Sequence, residues 1–382
     1  MRNIFTDFCQ LISFIQLSRE EKRVIFYSED KNTWIHLKGV ISELIRIYDV
    51  DICYISSDKD DPGLNLVDSK YKAFKIRQGH ILNWLFANID ADVFVMTTPD
   101  LNCFQLKRSK YNVHYIYMQH SLISLHMAYR EKAFTYFDTI FCAGPHHVAE
   151  MENIIQIQKL KPKNIVMHGY SRYDQIVKET INKKNTKENE KIGKHVLIAP
   201  SWGDGCIIET IGSKLVEILL EKKFKVTLRP HPQTLRLNKM LINKIVAENN
   251  GNFLFNLDDD ISHNKSFQES DLMISDWSGA ALDYAFGLNK PILYIDVDRK
   301  INNQEYDKIG IVPIEVKIRE KIGIVISKDK LNEIPTIINS LLQEEDKRDN
   351  ETLKQEVIFN TGNSDTVGAQ RIYELVNDIN GI

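Results

Sequence analysis

The sequence is short of several features that would have placed it quickly. Charge of one sign is missing: 382 residues carry Lys+Arg 49 against Asp+Glu 52, a formal net charge of -3. A dedicated nucleic-acid binder usually shows a basic excess, so no nucleic-acid partner is expected, while a local cationic patch facing phosphates remains allowed. Cysteines are few and isolated. Cys9, Cys53, Cys103, Cys142 and Cys206 form no CxxC pair, which excludes zinc-knuckle and thioredoxin-type motifs and fits a reducing cytoplasm. No GxxxxGK[ST] and no GxGxxG occurs, so neither a P-loop NTPase nor a nicotinamide enzyme is favoured. No HExxH or similar spacing links His114, His126, His146, His147 and His168; these are read as structural, and no metal site is expected. No run reaches ~18 apolar residues, so no transmembrane helix is expected. The apolar N-terminal run contains Asp7 and Gln10 and is followed by no small-residue cleavage site, so no signal peptide is expected.

What is present is an ordinary globular composition, 43% hydrophobic and 26% charged, in a chain long enough for two domains at ~100–200 residues each. Short apolar runs, at 23–27, 51–55, 92–96, 115–118, 139–142 and 164–167, alternate with helical patterns such as 37–45 and 80–88. Residues 178–194 are polar and almost without large apolar groups, and read as a linker. The rhythm restarts with strands at 195–199, 225–228, 272–274 and 291–295, and closes with a helical pattern over 365–378. Alternating strands and helices predict parallel βαβ units in doubly wound sheets. The expected division is an N-terminal domain over 1–180 and a C-terminal domain over 195–382. Residues 4–17 place Ile4, Phe5, Phe8, Leu11, Ile12 and Ile15 at helical spacing, a helix that either packs on its own domain or lies on a membrane surface.

The unusual residues stand at strand ends, where open α/β sheets bind ligands. Leu228-Arg229-Pro230-His231-Pro232 delivers a guanidinium and an imidazole two residues apart, in a turn stiffened by two prolines. Arginine offers a planar fork for phosphate oxygens and histidine a hydrogen bond or a proton, which suits a pyrophosphate whose charge must be stabilised as it breaks. The plainer alternative is a turn histidine beside a surface arginine. In Ser275-Asp276-Trp277-Ser278-Gly279-Ala280-Ala281-Leu282-Asp283 a strand ends and a helix is expected to begin near Ser278. Small Gly279 lets a ligand approach the backbone, and free N–H groups there bind anions. Asp283, one turn further on, is placed to accept bonds from hydroxyls. His120 follows the apolar strand Tyr115–Met118 directly and is a candidate general base. Ala199-Pro200-Ser201-Trp202 and Gly169-Tyr170-Ser171-Arg172-Tyr173-Asp174 are weaker signals at further strand ends.

Taken together and in this order, these motifs resemble the CDP-glycerol glycerophosphotransferase family, the teichoic acid and capsule primases and polymerases, most clearly over residues 90–300. The resemblance implies a GT-B-like fold of two Rossmann-type domains facing a cleft. It implies transfer of glycerol phosphate, or ribitol phosphate in relatives, from CDP-glycerol or CDP-ribitol to a lipid-linked or polymeric glycan acceptor, with release of CMP. The family's Trp-His-Gly-Thr-Pro run is matched by Gln119-His120-Ser121-Leu122-Ile123, so the resemblance makes His120 the base, beside Ser121. Its Gly-x-Pro-Arg-x-Asp run is matched at 169–174 with Ser171 for proline, implying donor binding by Arg172. Its Ala-Pro-Thr-Trp run is matched at Pro200 and Ser201, and its Arg-Pro-His-Pro run is intact at 229–232. Its Ser-Asp-Tyr-Ser-Ser run is matched by Ser275 to Gly279, followed by Asp283. His120 and His231 are thereby expected to be catalytic. Ser121, Arg172, Pro200, Ser201, Arg229, Ser275, Asp276, Ser278, Gly279 and Asp283 are expected to bind substrate. No cofactor is required, and a divalent cation could help neutralise the diphosphate. The lipid-linked acceptors imply a cytoplasmic protein, peripheral on the inner face of the membrane, with the N-terminal helix and the stretch Leu122 to Phe141 as candidate contacts. The alternatives are a GT-B glycosyltransferase using a nucleotide-sugar in capsule or lipopolysaccharide synthesis, and a non-catalytic nucleotide-binding scaffold.

Overall fold

A computed structural model describes residues 2–184, 194–260, 263–343 and 350–381. The chain divides into two compact units. The first comprises 1–174, 303–311 and 356–382; the second comprises 175–302 and 312–355.

The first unit is built on a seven-stranded, wholly parallel sheet. Its strands are β1 (Val24–Ser28), β2 (Ile52–Ser56), β3 (Tyr71–Lys75), β4 (Val93–Met96), β5 (His114–Met118), β6 (Thr139–Cys142) and β7 (Asn164–Met167), in the order β3-β2-β1-β4-β5-β6-β7. Side chains alternate across a strand, so each apolar run feeds two cores at once. Ile25, Tyr27, Tyr115 and Tyr117 join one core; Val24, Phe26, Ile116 and Met118 join the other.

The second unit repeats the plan with six parallel strands. They are β8 (His195–Ile198), β9 (Lys225–Leu228), β10 (Phe255–Leu257), β11 (Leu272–Ser275), β12 (Ile292–Asp296) and β13 (Ile324–Ser327), ordered β10-β9-β8-β11-β12-β13. The order reverses between β8 and β11, so that pair of strand ends is the switch point at which such sheets take ligands. Two doubly wound α/β units are what the strand–helix rhythm predicts. The strands it passes over are β3, β10 and β13, all sheet edges. An edge strand is covered less completely and needs no continuous apolar run: β3 reads Tyr-Lys-Ala-Phe-Lys, and only its two aromatics are buried.

The domain boundaries differ from the sequence expectation of 1–180 and 195–382. The helix Ser171–Lys184 runs through the start of the expected linker; residues 185–193 lie outside the described residues. The chain after 355 returns to the first unit instead of finishing the second. The contact is specific. Phe359 N–H donates to the Ala143 carbonyl at 2.8 Å, and the Asp174 carboxylate accepts from Gly362 and Ser364 N–H groups at 2.6 and 3.0 Å. A Cβ on Gly144 would collide with the Val357 carbonyl, and one on Gly169 (φ +105) with the Phe359 carbonyl and Ser364. Both glycines are needed for this close passage. The closing helix Ser364–Asn380 then buries Ala369, Ile372 and Val376 in the core formed with Leu37, Val40, Ile41 and Leu44. Residues 303–311 are likewise tied to the first unit, with Asn303 Nδ2 donating to the His126 carbonyl at 2.9 Å and Asn153 Nδ2 to that of Ile309 at 3.0 Å.

The N-terminal helix Arg2–Ile15 packs one face on its own unit and leaves the other open. Leu11 and Phe14 are buried, Phe14 meeting Phe74 edge-on at 5.4 Å, while Phe5, Phe8, Ile12 and Ile15 are exposed. The stretch Leu122 to Phe141, the other candidate membrane contact, turns most of its large apolar side chains inward. Leu122, Leu125, Met127, Phe134 and Phe137 are all buried, and Leu125, Phe134 and Phe137 join the core that holds Tyr115 and Tyr117.

Candidate functional site

In the first unit β5 ends at Met118 and delivers His120 half-buried. The loop behind it is fixed by histidines read from the sequence as structural. His146 Nε2 pairs with the Leu122 carbonyl and His147 Nε2 with that of Ile123, both at 2.9 Å. Tyr170 donates its hydroxyl to the His120 carbonyl at 3.1 Å, so the 169–174 run steadies the strand end as well as clasping the C-terminal segment. Ser121 Oγ lies 3.5 Å from the Ile123 N–H across the turn. Tyr117 Oη lies 3.2 Å from His120 Nδ1. Burial brings the His120 imidazole down to about 4, against a smaller opposing effect of the Thr97 backbone. The ring is therefore neutral at pH 7, the state a proton acceptor needs.

One neighbour escaped the sequence reading. His36, in the first turn of the helix Trp34–Tyr48, lies 5.9 Å from the His120 ring and stacks near Tyr170 at 6.2 Å. Burial, then His120, then Arg172 hold it well below the ordinary histidine range. Nothing in Trp34-Ile35-His36 marks it as functional; only the packing of that helix brings it to β5. Arg172 is buried at the start of the helix Ser171–Lys184, close enough to His36 to act on its charge.

In the second unit the expected residues do gather at the ends of β8, β9 and β11, but with roles that the motifs alone did not separate. His231 caps the helix Pro232–Leu237, its Nδ1 accepting from the Gln233 N–H at 3.1 Å. In the neutral ring the proton then sits on Nε2, so His231 can donate from that atom. Ser278 caps the helix Gly279–Leu288 where the sequence placed its start, with Oγ accepting from Ala280 N–H at 3.3 Å.

Three of the expected ligand contacts are engaged within the protein. Arg229 is 4% exposed. Its Nη1 bonds Asp258 at 2.8 Å and Ser266 at 2.7 Å, its Nη2 bonds the His263 carbonyl at 3.0 Å, and its guanidinium lies over Phe267. The buried fork finds its carboxylate partner within the protein, so it braces the β9 turn against the segment after β10. Asp276 is also buried; Oδ1 accepts from the Ser201 and Trp277 N–H groups, both at 2.6 Å, and Oδ2 from Ile207 N–H at 3.1 Å. Burial raises its pKa in spite of these bonds. It staples the Pro200–Ser201 turn to the end of β11. Ser275 Oγ donates to the Ala199 carbonyl at 2.7 Å and ties the two central strands together. Asp283 is buried one turn into its helix. The groups left on the outer side of this scaffold are Trp202, His231 and the 278–280 backbone, all partly exposed. Among the described residues no group of three or more His, Cys, Asp or Glu is placed to hold a metal ion.

Residues 10–376 match the family model described as CDP-glycerol:poly(glycerophosphate) glycerophosphotransferase. The chain belongs to this family. The minor teichoic acid biosynthesis protein GgaB of Bacillus subtilis (strain 168) is 22% identical over 272 residues, covering 63% of this chain and 28% of GgaB. The chain thus spans under a third of that relative. Among solved structures, the wall teichoic acid polymerase TagF aligns over 99% of this chain and 98% of its own, with a TM-score of 0.61 and 15% identity. The UDP-GlcNAc 2-epimerase of Neisseria meningitidis aligns over 92% of this chain and 99% of its own, with a TM-score of 0.59 and 13% identity. At these identities the structures establish a shared two-unit α/β fold of the GT-B kind. In this glycerophosphotransferase family member, the His120 strand end belongs to the first unit and the Arg229–His231 and Ser275–Asp283 runs to the second.

Proposed function

We propose that this chain transfers glycerol phosphate from CDP-glycerol to a hydroxyl of a lipid-linked or polymeric cell-surface glycan, releasing CMP. The family match over nearly the whole chain carries this reading. His120 takes the proton of the acceptor hydroxyl, the acceptor oxygen bonds the distal phosphorus, and the bond from that phosphorus to the CMP oxygen breaks with its electron pair on CMP. His231 Nε2–H and the backbone N–H groups at Ser278 and Gly279 hold the diphosphate, while Arg172 assists from the first unit and Asp283 faces the donor hydroxyls once the site fills. Pro200, Ser201, Ser275, Asp276 and Arg229 act through the shape of the strand ends. Positioning and fixed charge supply most of the acceleration in such transfers.

A donor screen is the direct test. CMP should appear with CDP-glycerol or CDP-ribitol in the presence of a teichoic- or capsule-type acceptor. Turnover with UDP-sugars alone would instead establish the glycosyltransferase reading, and tight nucleotide binding with no product from any pair would establish a scaffold.

In this reading the protein works at the inner face of the membrane, where a lipid-linked acceptor is held. The exposed face Phe5, Phe8, Ile12 and Ile15 is the part suited to it. Leu11 and Phe14 are core residues, so deleting the helix would damage the fold; the useful variant is Phe5→Ser/Phe8→Ser/Ile12→Ser. Co-sedimentation with anionic vesicles should fall severalfold in this variant with its thermal unfolding unchanged. Equal sedimentation would remove the helix from the reading.

A further inference from the structure

The second unit holds a cation that no motif points to. Lys300 lies four residues beyond the end of β12, and its Nζ stands 3.3 Å from the centroid of the Trp202 indole. The same indole lies 6.0 Å from the His231 ring, tilted by 33°. Trp202 follows Ser201 at the end of β8, and Ser201 is stapled by Asp276 at the end of β11. Lys300 therefore belongs to the pair of strand ends at which the sheet order reverses.

The charges around it single it out. A nucleoside diphosphate esterified at both ends carries two negative charges, and a site for it needs positive charge that the fold has not already used. Arg229 is taken up by Asp258. Arg319 is bonded to Asp296 and lies on Trp277, and Arg299, over the same Trp277 ring, has a further partner within the protein. Lys300 makes no hydrogen bond or salt bridge among the described residues. Its cation–π contact leaves the N–H donors able to turn to an anion.

We propose that Lys300 is a direct contact to the donor diphosphate and supplies the positive charge that stabilises the departing CMP phosphate. This rests on the reading of the chain as a nucleoside-diphosphate-dependent transferase. The ammonium is partly withdrawn from water, and burial lowers it to about 7 against the opposing effects of Asp276 and Cys206. His231, across Trp202, is the other group nearby that can gain a proton. Free enzyme at pH 8 thus holds Lys300 mostly neutral. An arriving diphosphate favours the charged form, so binding draws a proton from solution. The donor itself has no group that titrates near pH 8.

The test is calorimetric titration of the full chain with CDP-glycerol at pH 8, in two buffers of different ionisation enthalpy. Wild type should take up close to one proton per nucleotide bound. Lys300→Met keeps the apolar stem on Trp202 but should bind roughly ten- to a hundredfold more weakly, with the uptake abolished. Lys300→Arg, charged throughout, should keep most of the affinity and also take up no proton. His231→Gln should bind less tightly yet still take up the proton. Unchanged uptake in Lys300→Met, or binding by wild type with no proton exchanged, overturns the assignment. If CDP-glycerol gives no heat but a UDP-sugar does, the choice of donor fails, and the same variants decide the role of Lys300 with that nucleotide. No heat with either overturns both.

Discussion

His120→Ala should lower turnover at least about a hundredfold while leaving CDP-glycerol affinity near that of wild type, since a positioned general base contributes ~10²–10⁴-fold. Affinity is spared because the donor contacts, Arg172 apart, are assigned to the second unit. The pH profile adds a constraint that a structural histidine would not meet. The base must be neutral to accept a proton, and burial brings His120 down to about 4. kcat/KM, which reports the free enzyme, should therefore show no fall near 6.5, where an exposed histidine titrates, as the pH is lowered to about 5. An acid limb at 6.5 that vanishes in a different histidine variant would transfer the role elsewhere. Full activity in His120→Ala would end the assignment. His36→Gln provides a control for the pair: it removes the ring 5.9 Å from His120 and should leave most of the turnover in place, whereas a base at His36 would be lost with it.

The second large effect is one of stability. Arg229→Leu should destabilise the second unit by about 3–5 kcal/mol, the usual cost of leaving one partner of a buried ion pair behind. The Asp258 carboxylate is only 8% exposed and would lose its guanidinium, while Ser266 and the His263 carbonyl would lose a donor. Thermal unfolding should show the midpoint falling, and Arg229→Leu/Asp258→Leu should recover part of the loss because the stranded charge goes with it. The motif by itself suggests the opposite pattern, in which the fold is intact and the nucleotide no longer binds. A selective loss of donor affinity at wild-type stability would return Arg229 to the ligand.

These two residues show where sequence reading succeeds and where it stops. Both were legible as unusual, being polar groups placed directly after apolar strands. Which way each side chain turns was not legible. His120 keeps its ring at a partly open strand end because the carbonyls around it are already served by His146, His147 and Tyr170. Arg229 turns inward because a segment about thirty residues later supplies Asp258, Ser266 and a free carbonyl. Lys300 and His36 carried no local signal at all, since each is brought to its place by an element whose own sequence only encodes a loop or a helix.

The sequence by itself determined the class of fold, the ten strands that are buried or bear motifs, the start of the helix at Ser278, and the family. Those depend on periodicity, capping and short runs of residues, all of which are local. Tertiary structure alone decided the edge strands, the return of 356–382 to the first unit, and the division of the site residues into braces and free donors. The physical reason is the same in each case. A hydrogen bond or an ion pair is satisfied by whichever partner the fold brings near, and for Asp174 with Gly362 or Ala143 with Phe359 that partner lies some two hundred residues away along the chain.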